Sequence, residues 1–569
     1  MHTHMTSTAG GLLPTKGLSF VLRRSLPSLV GLAGLVGLVG IFAVAVAHVP
    51  VAAVVASAIG VVGLEYLIAP WTIEWIVPAR RIDHDGSRYL TNLPVGELVA
   101  RRCRDSGVPL VRLGIVDDGT PNAFTFGRTR RGARIWVTRG LLERLDDDEL
   151  DAVIAHELGH IRHRDFVLMA MVSVIPLVLY LLARALLDAG SDDDGDDGEG
   201  GEIMIVACIA LLCWYISELL VLSLNRAREY AADHWSCRCT GNGDALASAL
   251  VKIAYGMGET RVAEKRRHQG GERPSRSEER AARRSHAVRA MGIFEPRAAE
   301  VMSHAFANGI DAERVVAALR WDATNPWGAL LEKFSTHPLV ARRIAALEQS
   351  GLPGAPRRLG VLRSVGEVSR SERRHIRACF LGEVAIAATP WIVLAGLLLA
   401  GAAGSLFSTG AGIAVVGALF FAKQHVRYPS AWESVDEVGS LLERLDAGPI
   451  RGIPVEIRGR IIGRDSPGYV LAPDLVVQDR SGIVTLRYRQ PIPGASAWFG
   501  LFRVPDFLGS DVVLRGWYHR SPAPTIELRD IRTADAKRSA RSVMWCVKFA
   551  VAIAMFAAGL VMMAAGLTS

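Results

Sequence analysis

About seven stretches of this sequence are long and apolar enough to cross a lipid bilayer. A segment inside the bilayer core must satisfy its own backbone hydrogen bonds, and a helix of about 20 residues does so. Half of the residues are hydrophobic, which agrees with a membrane protein. The sequence therefore predicts an α-helical integral membrane protein. The predicted spans are 28–47, 51–69, 166–187, 203–224, 383–400, 405–422 and 543–567.

An H-E-x-x-H motif lies just before the third predicted span, with His156, Glu157 and His160 in a segment that has helical periodicity. Histidines four positions apart on a helix face the same way, so both imidazoles can bind one metal ion. This is the spacing that binds zinc, with the glutamate placed to act on the water that the metal activates. The motif predicts a catalytic Zn²⁺ site that still needs a third protein ligand.

Glu229 is the candidate for that third ligand, and Asp233 follows it one helical turn later. Asp233 is suited to orienting a ligand histidine from behind. Taken alone, however, the two acids could equally pair with Arg226 and Arg228 on a solvated helix.

The predicted spans favour the metal site over the surface ion pairs. Span 166–187 begins directly after the H-E-x-x-H helix, and span 203–224 ends directly before Glu229. Two spans joined by a short loop form an antiparallel hairpin whose open ends return to the same membrane face. We therefore expect the two candidate ligand segments to emerge side by side.

Besides the H-E-x-x-H motif, four segments have matching motifs in a known family. They are Pro121-Asn122-Ala123-Phe124, residues 136–142, residues 228–233, and residues 334–338 with Arg342, Arg343 and Ile344. In these segments the chain resembles the HtpX and CAAX prenyl protease family of membrane zinc metalloproteases, and its order of spans and motifs is that of the HtpX branch.

The resemblance implies a fold and an activity. It implies a mainly α zincin-type peptidase domain in which His156, His160 and Glu229 hold Zn²⁺ and Glu157 is the general base. It further implies that His337 stabilises the oxyanion. A substrate would add as a strand beside Asn122, Ala123 and Phe124. The substrates implied are membrane proteins or unfolded polypeptides, cleaved in protein quality control.

The distribution of charge predicts the orientation of the chain. Arginine and lysine are frequent before the first and fifth spans and on the side of the H-E-x-x-H motif, whereas loop 188–197 is acidic. The positive-inside rule therefore places the active site and the large soluble segments in the cytoplasm of a multi-pass cell-membrane protein. The seven cysteines do not suggest a disulfide scaffold, because four lie in or beside spans and the three in predicted cytoplasmic segments stay reduced. Cys237 and Cys239, near His234, are a weak indication of a second metal site.

Residues 450–535 have a different pattern, with about five short runs rich in β-formers separated by Gly, Pro, Asp and Ser. This predicts a small β-barrel of OB type. Such barrels often bind nucleic acid by stacking bases on aromatic side chains. We favour a protein-binding or substrate-presenting barrel instead, because its arginines alternate with acids. The aromatic residues considered for stacking are Tyr488, Trp498, Phe499, Trp517 and Tyr518.

Two alternatives to a protease remain open: a membrane scaffold with a structural zinc site and a protein-binding barrel, and a transporter or channel. Retention of Glu157 argues against the scaffold, because a structural site needs no general base.

The sequence predicts a chain built of separate units. The predicted units are a transmembrane pair (1–78), two peptidase halves (79–165 and 225–375), a transmembrane hairpin (166–224), a second transmembrane pair (376–425), a helical linker (426–449), the OB-like barrel (450–535) and a last transmembrane helix (543–567).

Overall fold

The computed structural model describes residues 30–32, 34–35, 51–77, 79–82, 95–191, 199–254, 312–400, 405–464, 471–521 and 523–568. Within these ranges the chain is mostly helical. Its α-helices are α1 (Val51–Ile76), α2 (Val95–Ser106), α3 (Arg139–Arg144), α4 (Asp147–His163), α5 (Asp165–Ser191), α6 (Glu199–Thr240), α7 (Ala312–Thr324), α8 (Pro326–Glu332), α9 (Val340–Gln349), α10 (Val361–Glu367), α11 (Arg370–Ala400), α12 (Leu406–Arg427), α13 (Pro493–Trp498) and α14 (Met544–Thr568). Residues 243–254 are helical as well.

The strands form two sheets. Strands of the first sheet are β1 (Arg80–Ile82), β2 (Arg112–Val116), β3 (Ala123–Phe126) and β4 (Arg134–Thr138). Strands of the second sheet are β5 (Glu433–Val435), β6 (Ile453–Arg464), β7 (Leu475–Gln478), β8 (Ile483–Arg487), β9 (Asp511–Ser521), β10 (Ala523–Thr533) and β11 (Ser539–Arg541).

Among the described residues, six helices are long and apolar enough to cross a membrane: α1, α5, α6, α11, α12 and α14. Each coincides with one of the predicted spans, and the predicted span 28–47 lies almost entirely outside the described residues. Helix α6 runs on past its apolar part to Thr240. It therefore carries residue 229 from the bilayer into the soluble part without a break.

The H-E-x-x-H helix α4 packs against one end of the first sheet, whose strand order in the described residues is β1-β2-β4-β3. Strands β2 and β4 are parallel and the other two pairs are antiparallel. Leu150, Val153, Ile154 and Leu158 are buried in the common core with side chains from the sheet. The apolar periodicity of α4 thus buries one face and fixes the rotation of the helix about its axis.

A membrane hairpin joins α4 to α6. Arg164, between α4 and α5, has left-handed backbone angles (φ 59°), which ends one helix and starts the next. Helices α5 and α6 then pack through a shared apolar cluster. Beyond the hairpin α6 returns alongside α4, where Ser236 Oγ donates to the carbonyl of Ala152 (2.6 Å). A Cβ on Gly159 would lie 3.2 Å from Ala232 Cα, so the absence of a side chain permits the close approach.

The second sheet closes into a five-stranded barrel within the described residues, in the order β6-β7-β8-β10-β9 and back to β6. Strands β8 and β10 are parallel and the other neighbours are antiparallel. A helical segment between the third and fourth barrel strands completes an OB-like fold, as the alternating sequence predicted. Four of the five aromatic side chains considered for base stacking are buried, and Trp498 alone among them is exposed.

The segment 426–449 is only partly helical, in contrast to the helical linker predicted for it. Pro429 follows the end of α12 and has no N–H with which to continue a helix. After it, β5 pairs in parallel with β6 and residues Val438–Glu443 form a 3₁₀ helix. Pairing with the barrel therefore overrides the local helical preference.

The barrel is packed directly onto the peptidase part. The Trp321 ring nitrogen donates to the carbonyl of Ala447 (2.9 Å), and the Asn325 side chain donates to the carbonyl of Leu445 (2.7 Å). Arg520, on β9, donates to the carbonyl of Ala318 (2.8 Å). Helix α7 is thus held between the barrel and the rest of the peptidase part.

Candidate metal centre

Helix α4 begins and ends with well-defined capping interactions. Asp146 accepts from the Glu149 N–H (2.9 Å) while the Glu149 side chain accepts from the Asp146 N–H (3.0 Å). This reciprocal pair satisfies two backbone donors that the first turn leaves open. The fixed start, together with the buried apolar face, determines where His156, Glu157 and His160 lie two turns later. His156 and Glu157 are buried.

Three side chains converge between α4 and α6. His156 Nε2 and His160 Nε2 are 3.2 Å apart, and Glu229 oxygens lie 3.7 Å and 3.6 Å from them. In the described residues this is the one group of three or more His, Cys, Asp or Glu whose ligand atoms lie within 4.8 Å of one another. The Cys237 and Cys239 thiols belong to no such group there.

This donor set fits a zinc ion. Two imidazole nitrogens and one carboxylate are a known ligand set for catalytic zinc, which leaves one position for water or substrate. Glu229 Oε2 is buried and makes no hydrogen bond within the described residues, although His337 Nδ1 lies 3.3 Å from it. A buried carboxylate oxygen without a hydrogen bond is costly unless a cation satisfies it.

Carboxylates hold the opposite nitrogen of each histidine. His156 Nδ1 lies 3.0 Å from Asp233 Oδ1, and His160 Nδ1 lies 2.6 Å from Asp165 Oδ2. Such contacts place the proton on Nδ1 and turn the Nε2 lone pair toward the metal position. Burial alone would lower the pKa of His156, but without a metal ion the contacts with Asp233 and Glu229 outweigh burial and raise it to about 9, so a metal ion would displace a proton from this ring on binding.

Arg343 supports Asp233 from behind. Its guanidinium makes two parallel hydrogen bonds to the Asp233 carboxylate, at 2.8 Å and 2.5 Å, and both side chains are almost fully buried. Bidentate pairing fixes the plane of the carboxylate as well as its position. Arg343 therefore orients His156 through Asp233.

Thr125 contacts Glu157 from the first sheet. Its hydroxyl donates to Glu157 Oε2 (2.6 Å). Thr125 lies on β3, which is the last strand in the sheet order within the described residues. The carboxylate next to the metal position is therefore aimed by a residue of the edge strand.

The side chains at the start of β3 and directly before it are buried. Asn122, Ala123 and Phe124 are all buried, and Phe124 packs on Trp136. Contact between these three residues and an extended peptide would therefore run through the backbone of β3.

His337 is held in a turn against α6. Ser335 Oγ donates to the carbonyl of His337 (2.6 Å), and Arg226 of α6 donates to the carbonyl of Ser335 (2.9 Å). The Asn225 side chain donates to the carbonyl of Thr336 (3.0 Å). The turn thus brings the His337 ring to Glu229, although more than one hundred residues separate them in sequence.

Comparisons with known proteins identify the family of this chain. The sequence model of Peptidase family M48 matches residues 90–350. The Protease HtpX homolog of Methanothermobacter thermautotrophicus is 37% identical over 194 residues, which are 34% of this chain and 70% of the relative. The Protease HtpX homolog of Aeropyrum pernix is 32% identical over 297 residues, which are 51% of this chain and 84% of the relative. The chain belongs to peptidase family M48.

Two further comparisons cover less of the relative's own length. The Protease HtpX homolog of Moorella thermoacetica is 34% identical over 197 residues, which are 34% of this chain and 64% of the relative. The crystal structure of S. mikatae Ste24p aligns over 58% of this chain and 64% of that chain at 14% identity, with a TM-score of 0.31. That alignment is too weak to carry a conclusion.

Membership of M48 confirms the resemblance noted in the sequence and supports a multi-pass membrane metalloprotease. The M48 match ends at residue 350, before the barrel. Three residues of the site had not been singled out from the sequence for a role in it: Thr125, Asp165 and Arg343. Of the three, Asp165 could most readily have been found from the sequence, because an acid directly after the H-E-x-x-H helix can reach back to the last turn of that helix.

Proposed function

We propose that this chain is a zinc metalloendopeptidase that cleaves membrane or membrane-proximal proteins at the cytoplasmic face. The observation that carries the proposal is the convergence of His156, His160 and Glu229, with each imidazole held by a carboxylate on its far side. A general base beside them, Glu157, distinguishes this arrangement from a structural zinc site.

Zinc bound by the three ligands would supply Lewis acidity that polarises the scissile carbonyl and activates water. Glu157 then takes the proton of the attacking water and delivers it to the leaving amine. Thr125 holds one oxygen of Glu157, so the other oxygen is the one left for the proton. His337 donates to the oxyanion as it forms.

The substrate would lie extended along β3 and pair with its backbone around Asn122, Ala123 and Phe124. Because their side chains are buried, this pairing would be tolerant of sequence. Such tolerance suits unfolded polypeptides and membrane proteins, and hence quality control. We also propose that the site faces the cytoplasm, because Lys and Arg are frequent on its side of the predicted spans. The boundaries of the sequence units are proposed from the sequence pattern.

The test is cleavage by the purified full chain. The protein is prepared in detergent with a chelator, zinc is added, and loss of the full-length chain and of added casein is followed. We expect zinc-dependent cleavage that disappears in Glu157→Gln while zinc binding persists. Asp148→Asn, an exposed acid on the same helix, is the matched control and keeps activity. Stoichiometric zinc with no cleavage of any unfolded substrate would favour the scaffold instead.

A further inference from the structure

The helical segment between β8 and β9 has an apolar face that the barrel uses. The segment comprises α13 followed by short helical turns to residue 506. Phe499 and Val504 point into the barrel core, and the Phe499 ring stacks on Tyr488 with centroids 3.7 Å apart. This face closes one end of the barrel.

The opposite face of the same segment is apolar and exposed. Trp498, Leu501 and Phe502 are exposed to solvent, whereas Phe499 and Val504 of the same segment are buried in the barrel core. Their exposed fractions are 56%, 37% and 57%, and Ile492 just before the segment is 68% exposed. The Trp498 and Phe502 rings touch, with centroids 5.7 Å apart. We call these four side chains the outer patch; exposed apolar side chains clustered in this way mark an interaction site.

Hydrogen bonds fix both ends of the segment to the chain that enters α14. Before the segment, the Gln490 side chain donates to the carbonyl of Arg541 (2.8 Å) and accepts from the Val543 N–H (3.5 Å). After the outer patch, Arg503 donates to the carbonyl of Ser539 (3.1 Å). Helix α14, a candidate membrane span, begins at Met544. The outer patch therefore lies beside the point where the chain enters the bilayer.

The first turns of α14 have the composition of a membrane–water interface. The Trp545 ring lies beside Trp517 (6.0 Å between centroids), and the Lys548 ammonium lies over Tyr428 (5.1 Å). Tryptophan, tyrosine and snorkelling lysine concentrate at the headgroup level of a bilayer. The residues bonded to Gln490 and Arg503 immediately precede this level.

We propose that the outer patch inserts into the interfacial layer of the lipid bilayer and anchors the barrel to the membrane surface. Lipid is the occupant that the position favours, because the outer patch adjoins a span and arginines flank it at 489 and 503. Four side chains are also few for a stable protein interface, which buries on the order of 1,600 Å². The outer patch would then give the barrel a contact with the bilayer beside the span α14. The proposal stands independently of peptidase activity.

The test places a genetically encoded fluorescent amino acid at position 502 of the full chain, in nanodiscs of phosphatidylcholine and phosphatidylglycerol. The matched control carries the same probe at position 480, in the turn before β8. Strand β8 spans Ile483–Arg487 at about 3.3 Å per residue. The turn at position 480 therefore lies roughly 17 Å from the end of the barrel where Gln490 is hydrogen-bonded to the chain entering α14. Each sample is titrated with iodide from the water and prepared with brominated acyl chains in the lipid.

We expect the probe at 502 to emit at shorter wavelength, to be quenched by brominated lipid and to be protected from iodide, with the reverse at 480. Iodide quenching at 502 as strong as at 480 would place the outer patch in water and overturn the proposal. Protection at 502 from both quenchers would mean that protein covers it, a second copy or another partner, and would overturn the proposal equally.

Discussion

The guanidinium of Arg520 lies 4.6 Å from the centroid of the Trp321 ring, and both side chains are fully buried where the barrel meets helix α7. The same guanidinium donates to the carbonyls of Leu442 and Ala318, each at 2.8 Å. Asp322, also buried, lies 4.0 Å away. Arg520 of the barrel thus donates hydrogen bonds to two backbone carbonyls, makes a cation–π contact with Trp321 and lies near the Asp322 carboxylate. Only the short helix α8 separates helix α7 from the turn that carries His337. The barrel is therefore packed on a helix that lies close in sequence to the candidate site.

Arg520→Met should destabilise the protein strongly. The variant removes a cation beside the buried Asp322 and one donor from each of two carbonyls, for which we expect a loss of about 3–5 kcal/mol. Unfolding of the purified chain in mixed micelles measures it. Arg515→Met on the same strand is the control, because Arg515 is exposed and its pair with Glu456 is worth ~0–1 kcal/mol. Equal stability of the two variants would contradict a structural role for Arg520.

Thr125→Val should slow catalysis without releasing zinc. The substitution keeps the shape of the side chain and removes the hydroxyl that donates to Glu157. A hydrogen bond of about 1.4 kcal/mol corresponds to about a tenfold fall in kcat. Casein cleavage and zinc content are measured together. Thr125→Ser restores the donor and should recover most of the rate; a Val variant as fast as the parent would show that Thr125 does not position Glu157.

The proximity of the three candidate ligands follows from features visible in the sequence. His156 and His160 are neighbours because of the helical period, and Glu229 joins them because a membrane hairpin returns the chain to the same face. The alternating runs likewise predict a barrel. Each of these patterns is local or depends on one long-range contact that the bilayer imposes.

Other parts of the site depend on contacts that no local pattern encodes. The approach of Thr125 to Glu157 depends on how the first sheet packs on α4, and that of Asp165 depends on the left-handed turn at Arg164. The docking of Arg520 on Trp321 joins segments about two hundred residues apart. Spacing along the chain carries no information about the Thr125 and Arg520 contacts, whereas Asp165 at least follows the H-E-x-x-H helix directly.

Asp165→Asn should weaken zinc binding. Asp165 holds His160 Nδ1 at 2.6 Å, and loss of such a carboxylate costs about 10–100-fold in metal affinity. Competition against a zinc buffer measures the affinity directly and needs no substrate. The exposed Asp148→Asn serves as the charge-matched control. Unchanged affinity in Asp165→Asn would mean that Asp165 contributes nothing to ligand orientation.

His519 should make the stability of the barrel depend on pH. Its ring is buried on β9, and neither ring nitrogen has a hydrogen-bond partner in the described part of the chain. Burial, assisted by nearby Arg427, lowers the pKa of His519 to about 3. Between pH 6.5 and 3 the unfolded chain therefore takes up a proton that the folded chain refuses, so stability falls as the pH falls through this window.

At pH 5 the loss attributable to His519 should be about 2 kcal/mol relative to pH 7.5. His519→Gln cannot take up the proton and should lose less stability over the same interval. Unfolding in mixed micelles at the two pH values gives the comparison, with the exposed His375→Gln as a control that leaves the barrel untouched. The Glu527 carboxylate nearby does not account for a slope in this interval, because its pKa is lowered to about 2 in the folded chain and its usual pKa is already below 5. A slope in His519→Gln as steep as in the parent would assign the pH dependence to other groups.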